Sequence, residues 1–263
     1  MKTVVLIPAR YASTRYPGKP LANLRQKDGS EKSLIQMSYE AASQINGVSD
    51  VYVVTDDTRI REASEAFGAK VIMTSPEREN GTARVAEAVE VAALDADLIV
   101  NFQGDAPLTP PWFVEDLISA MKADKTAQMA TPVLQCDAQT YAMFKEDRAA
   151  GRVGGTTAVF GAEGRAIYFS KEVLPYIDAG KVPSENIPVY HHVGVYAYRP
   201  EALKAYISWP ECQLEKLEGL EQLRFLYNGV AVKCVEVEAR GRLFWELNNP
   251  EDVARIEKVL AEQ

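Results

Sequence analysis

The sequence predicts an α/β protein with a mostly parallel nucleotide-binding sheet and a smaller β-rich lobe. Three observations carry this. Short apolar, β-branched runs at residues 4–7 (VVLI), 51–55 (VYVVT) and 98–102 (LIVNF) read as strands buried on both faces. Amphipathic helical patterns alternate with them at the spacing of βαβ units. A loop rich in cations leaves the first strand, where an open α/β sheet places its ligands.

In chain order, the first strand stops at Pro8, which cannot donate to a ladder. The stretch LRQKDGSEKS is polar and turn-rich, and Ser33 opens a helix to about Gln44. After the second strand come the pair Asp56 and Asp57, a helix over 58–67 closed by Gly68, and a strand over 70–73. Residues 82–94 place Val85, Ala88, Val89 and Ala92 on one helical face ahead of the strand at 98–102. Further strands are expected at 129–134, 156–160, 166–169, 193–198 and 230–237. A long helix is expected over 214–228, with Leu214, Leu217, Leu220 and Leu223 as a buried stripe and Glu215, Lys216 and Glu218 solvated. A last helix over 250–262 has Pro250 in its first turn. The smaller lobe falls at about 138–188 within a single domain of 1–263.

The 263 residues carry a net charge of −8, which argues against a general nucleic-acid binder. A basic loop in an acidic chain instead suits a local anion site. No apolar run approaches a membrane span, and the apolar core of the N-terminus is too short for a signal peptide. The cysteines Cys136, Cys212 and Cys234 have no metal spacing and are odd in number, so reduced thiols in the cytoplasm are expected.

Four segments can carry chemistry. Arg10, Arg15 and Lys19 supply two guanidinium forks and a point charge within ten residues, enough to neutralise most of a triphosphate. Charge alone equally allows a solvated loop. Asp105, in NFQGDAP, follows a buried strand and suits Mg²⁺, which binds through one or two carboxylates plus substrate phosphates. A turn aspartate after glycine is the alternative. Asn80-Gly81-Thr82 precedes a helix whose free N–H groups could meet a ligand, or simply be capped by Asn80 or Thr82. His191 and His192 face opposite sides of a strand and do not share a metal.

The opening IPARYASTRYPGKPL, with NFQGDAP, NGTAR, HHVGVYAY and LEKLEGLEQLR, resembles the sugar-acid cytidylyltransferases, specifically the 3-deoxy-manno-octulosonate (Kdo) cytidylyltransferase family, over essentially the whole chain. The resemblance implies a Rossmann-like fold of the nucleotide-diphospho-sugar transferase type and a cytoplasmic homodimer joined through the smaller lobe. It implies CTP-dependent activation of Kdo, or a close relative, for lipopolysaccharide or related surface glycan, with Mg²⁺ as cofactor and neither membrane nor nucleic acid as partner. It assigns nucleotide contacts to Pro8, Ala9, Arg10, Lys19, Asn80, Gly81, Thr82 and Arg84, and phosphate chemistry to Arg10, Arg15 and Lys19. It assigns the sugar acid to Gln103, Lys171, His192, Tyr196, Glu221 and Gln222, and the metal to Asp105 and Asn248.

Four features depart from the family pattern, one being that the family's VKVV strand is Thr156-Thr157-Ala158-Val159 here, without its lysine. Asn80 stands for a serine, Lys171 for an arginine that would lend a bidentate fork, and Asn248 for the second metal-binding aspartate, with Glu246 two residues away. Another acidic-sugar acceptor, or a CTP-binding protein without turnover, are the alternative readings.

Overall fold

The computed structural model describes residues 1–12, 16–78, 80–105, 107–153, 155–242, 247, 250 and 252–262. The chain begins with β1 (Thr3–Ala9), a hairpin of β2 (Asn23–Arg25) and β3 (Glu31–Ser33), and α1 (Leu34–Ser43). Next come β4 (Asp50–Thr55), α2 (Thr58–Ala66), β5 (Lys70–Met73), α3 (Gly81–Val91), β6 (Leu98–Phe102) and α4 (Pro111–Ala123). The middle holds β7 (Met129–Gln135), α5 (Ala138–Ala149), β8 (Thr157–Phe160), β9 (Ala166–Ser170), β10 (Tyr190–His192) and β11 (Val195–Tyr198). The chain continues with α6 (Pro200–Ser208), α7 (Gln213–Glu218), α8 (Leu223–Tyr227), β12 (Val232–Glu236) and α9 (Asp252–Glu262).

Ten strands share one sheet in the order β5-β4-β1-β6-β11-β7-β10-β8-β9, with β12 also on β7. The run β5-β4-β1-β6 is parallel, as is β12 on β7, whereas β11, β10, β8 and β9 join antiparallel. Alternate residues of β1 serve opposite faces. Val5 and Ile7 pack with Ile35 of α1, Ile60 of α2 and Phe113 of α4, and Val4 and Leu6 pack with Val85 of α3, Leu203 of α6 and Phe225 of α8. A satellite core of Cys136, Phe144, Ile187 and Val189 lies under the segment around α5.

Several expectations need correction. The strand does not stop at Pro8, because β1 runs on to Ala9 with Pro8 opposite Val54. Pairing with β6 ends at Leu6, so that side of the strand is already free where the imino acid falls. The polar stretch after Leu24 is the β2–β3 hairpin, turned at Gly29. The helix expected over 214–228 is two helices. Gly219, at φ +62°, ends α7 in the left-handed region, and its N–H bonds the Glu215 carbonyl. The leucine stripe is therefore not buried: Leu217 is 74% exposed and Leu214 37% exposed, and Leu223 alone of the four is fully buried. Glu215, expected in solvent, is 4% exposed and takes a bidentate ion pair from Arg224, at 2.6 Å to Nε and 2.7 Å to Nη2. Glu218 is half-buried and accepts from the Ser170 hydroxyl and the Lys171 N–H.

Candidate active site

The parallel strands end together on one side of the sheet, and the α3 N-terminus and the α7–α8 break close over that edge. At the end of β6, Gly104 lies so close to β1 that an added Cβ would sit 3.3 Å from the Pro8 carbonyl oxygen. The glycine lets the following carboxylate approach the first loop. Asp105 Oδ2 accepts from Lys19 Nζ at 2.8 Å, both side chains being mostly buried. Asp105 Oδ1 is buried with no hydrogen-bond partner among the described residues. The Asp105 carbonyl accepts from the Leu247 N–H, which brings the C-terminal segment beside it. Arg15, Glu246 and Asn248 lie outside the described residues.

Arg10 is exposed just past β1 and close enough to Arg84 for its charge to be felt there. The Arg84 guanidinium is buried, with Nη1 2.7 Å from the Thr74 hydroxyl and 3.0 Å from Asp56 Oδ1. Burial first, and Arg10 among the other charges, lower its pKa, while Asp56 opposes that shift. Arg84 thus ties the start of α3 to the segments that follow β4 and β5, a role that its place in NGTAR did not suggest.

At the start of α3, Asn80 is the N-cap: its Oδ1 accepts from the Ala83 N–H at 2.8 Å. A Cβ on Gly81 would lie 3.5 Å from Pro8, 3.6 Å from Asn101 Nδ2 and 3.6 Å from Glu221 Oε1, so four segments converge there. The Thr82 N–H donates to Glu221 Oε2 at 2.8 Å, and the Thr82 hydroxyl shares a hydrogen bond with the Tyr198 hydroxyl. Glu221 Oε1 also accepts from Gln103 Nε2 at 3.4 Å. Desolvation raises the Glu221 pKa, while the Thr82 N–H works against the shift.

A second cluster adjoins. The Tyr196 hydroxyl donates to Gln222 Oε1 at 3.3 Å, and the His192 ring packs 5.0 Å from Phe169 and 5.5 Å from Tyr196. His192 Nε2 and Gln222 Nε2 are buried without partners among the described residues. Burial, with a smaller effect from His191, pushes the His192 pKa down to about 3, so the ring is a neutral hydrogen-bonding group at physiological pH. His191 faces the other way, edge-on to Phe144 at 5.1 Å. Lys171 flanks the α7–α8 break, its Nζ within 2.8 Å of where a Cβ on Gly219 would lie. Tyr198, readable from the sequence as plain strand packing, is buried against Phe225 and also holds Thr82.

The edge therefore has a charged end (Arg10, Lys19, Asp105) and a neutral polar end (Gln103, His192, Tyr196, Gln222), joined by Gly81 and Glu221. Among the described residues no group of three or more His, Cys, Asp or Glu could hold a metal by itself.

A parallel sheet with a charged ligand edge of this kind is a nucleotidyltransferase architecture, and residues 4–237 match the cytidylyltransferase family, to which the chain belongs. It is 41% identical over 261 residues to the 3-deoxy-manno-octulosonate cytidylyltransferase of Maricaulis maris, covering 99% of this chain and 98% of that one. It is 39% identical to the 8-amino-3,8-dideoxy-manno-octulosonate cytidylyltransferase of Shewanella pealeana, covering 96% of each. The solved structure of a CMP:2-keto-3-deoxy-manno-octonic acid synthetase in complex with CTP superposes with a TM-score of 0.84 at 34% identity, over 100% of this chain and 99% of that one.

Proposed function

We propose that this enzyme activates a sugar acid of the 3-deoxy-manno-octulosonate type with CTP, releasing the CMP-sugar and diphosphate. The carrying observation is the two-ended edge: cations and one carboxylate at one end, and at the other buried amide and imidazole nitrogens that have no hydrogen-bond partner among the described residues. The first suits a triphosphate and the second a polyhydroxylated acid.

The anomeric hydroxyl of the acid attacks the α-phosphorus. A new O–P bond forms, the bond from the α-phosphorus to the bridging oxygen breaks with diphosphate leaving, and the hydroxyl proton passes to solvent water. Such transfer is mainly positioning and charge neutralisation. In this reading Arg10, Arg15 and Lys19 hold the phosphates, while Pro8, Ala9, Asn80, Gly81 and Thr82 shape the cytidine site over Arg84. Gln103, Lys171, His192, Tyr196, Glu221 and Gln222 orient the acid. Asp105 fits Mg²⁺, since among the described residues one of its oxygens is buried without a hydrogen-bond partner and the other accepts from Lys19; Asn248 would be the second ligand. Bound there, Mg²⁺ offsets negative charge on the triphosphate. With triphosphate present, Lys19 leaves the carboxylate for a phosphate.

Residues 138–188 form the smaller lobe and the homodimer contact in this reading, supported by the family resemblance. The same resemblance supports a cytoplasmic enzyme supplying lipopolysaccharide or related glycan. Among the described residues no helix is long and apolar enough to cross a membrane.

Relatives with the 8-amino name are nearly as similar as those with the Kdo name, which favours an 8-amino acceptor as the second reading. Diphosphate release from CTP and Mg²⁺, with the two acids in parallel, tests both. Release with Kdo is the expected result. Release with the 8-amino acid alone moves the acceptor assignment, and no release with either overturns the sugar-acid reading.

A further inference from the structure

Behind the α7–α8 break lies a buried polar chain that reaches the edge at the Asn80 side chain and the Glu221 carbonyl. Arg224 grips Glu215 with two nitrogens, and its guanidinium carbon lies 4.1 Å from the centroid of the Tyr206 ring. The Tyr206 hydroxyl donates to Glu215 Oε1 at 3.1 Å and accepts from Asn80 Nδ2 at 3.0 Å. Glu215, Arg224 and Tyr206 are 4%, 9% and 0% exposed.

The geometry spans the break from both sides. The Glu215 carbonyl takes the Gly219 and Leu220 N–H groups on the α7 side. The Arg224 N–H donates to the Glu221 carbonyl on the α8 side. The residues between are those that present Glu221 and Gln222. At the far end, Asn80 uses both halves of its amide, Oδ1 to cap α3 and Nδ2 to reach Tyr206. A serine caps a helix about as well but has no second arm. A buried ion pair seldom stabilises more than a well-packed apolar pair would. What this one adds is direction, because a bidentate fork fixes both helices in orientation.

We propose that Glu215, Arg224 and Tyr206 are positioning residues that set the acceptor-side pair Glu221 and Gln222 against the nucleotide loop through Asn80. This rests on reading the edge as the site of cytidylyl transfer. Occupancy of one end is then felt at the other.

A double-mutant cycle tests it. Tyr206→Phe keeps the ring on Phe225 and under Arg224 and removes the hydroxyl; Asn80→Ser keeps a cap and removes the amide. Each single variant should lower kcat/KM about tenfold, the value of one lost hydrogen bond to a charged network, with KM raised for both CTP and the acid. The double variant should be no worse than the worse single. Effects that multiply, or a lowered melting temperature with unchanged kinetic constants, overturn the proposal. The same cycle on CTP affinity by titration calorimetry needs no turnover. Wild type that binds CTP without releasing diphosphate sinks the transfer reading, and independent effects in calorimetry sink the clamp. If Tyr206→Phe does not fold, Glu215→Gln takes its place in the cycle under the same criteria.

Discussion

Lys19 and Asp105 hold each other at 2.8 Å, and the proposed reaction gives each another partner, a phosphate for the lysine and Mg²⁺ for the carboxylate. Asp105→Ala should lower turnover by orders of magnitude while CTP still binds, measured as diphosphate release beside calorimetry; near-normal turnover would remove Asp105 from the metal role. His192 gives a prediction in pH. The folded chain takes up its proton at about 3, against 6.5 for the free side chain, so the unfolded chain binds more protons between those values. Stability should therefore fall as pH drops below 6.5. By pH 5 the His192 contribution is about 2 kcal/mol at most, and His191, pushed down to about 4 by burial, adds to it. Urea midpoints at pH 7.5 and 5 measure the slope, and His192→Gln should flatten it. At this scale the sequence showed which residues carry charge and not whom they meet. Asp56, unassigned by its motif, is the partner of Arg84, and the charged Glu215 is buried because Arg224 faces it.

Among the elements, the α7–α8 break matters most to the site. Leucines at three-residue spacing read as one stripe of one helix, yet the signal for an interruption was present in Gly219, the residue type that ends helices in the left-handed region. Gly219→Ala should cost about 1 kcal/mol for its positive φ, and its Cβ would crowd Lys171 Nζ. We expect a lower melting temperature and a KM for the acid that rises more than that for CTP. Equal rises would place the break outside acceptor binding. The strands of the parallel half were readable within a residue or two because each is built on a short, mostly apolar and β-branched run. The helices α4, α5 and α6 have no counterpart among the expected elements, although their start signals were present: a proline in the first turn of α4 and α6 and Asp137 capping α5.

For the whole molecule, a net charge of −8 surrounds a local basic site, so ligand charge and protein stability are linked. CTP with Mg²⁺ should raise the melting temperature, by the equivalent of about 2.7 kcal/mol at a hundredfold excess over Kd. Adding a chelator at constant CTP should return part of that shift; an unchanged shift would mean that the nucleotide binds without metal. The class of fold and the family were legible in the chain, because strand periodicity and short loop motifs are local properties. The pairing of Thr82 with Glu221 was not, since 139 residues separate them. Nor was the burial of His192 among aromatic rings, or the chain of contacts from Asn80 to Arg224. Those depend on how the antiparallel strands and broken helices pack over the parallel half, and packing joins residues that no local pattern connects.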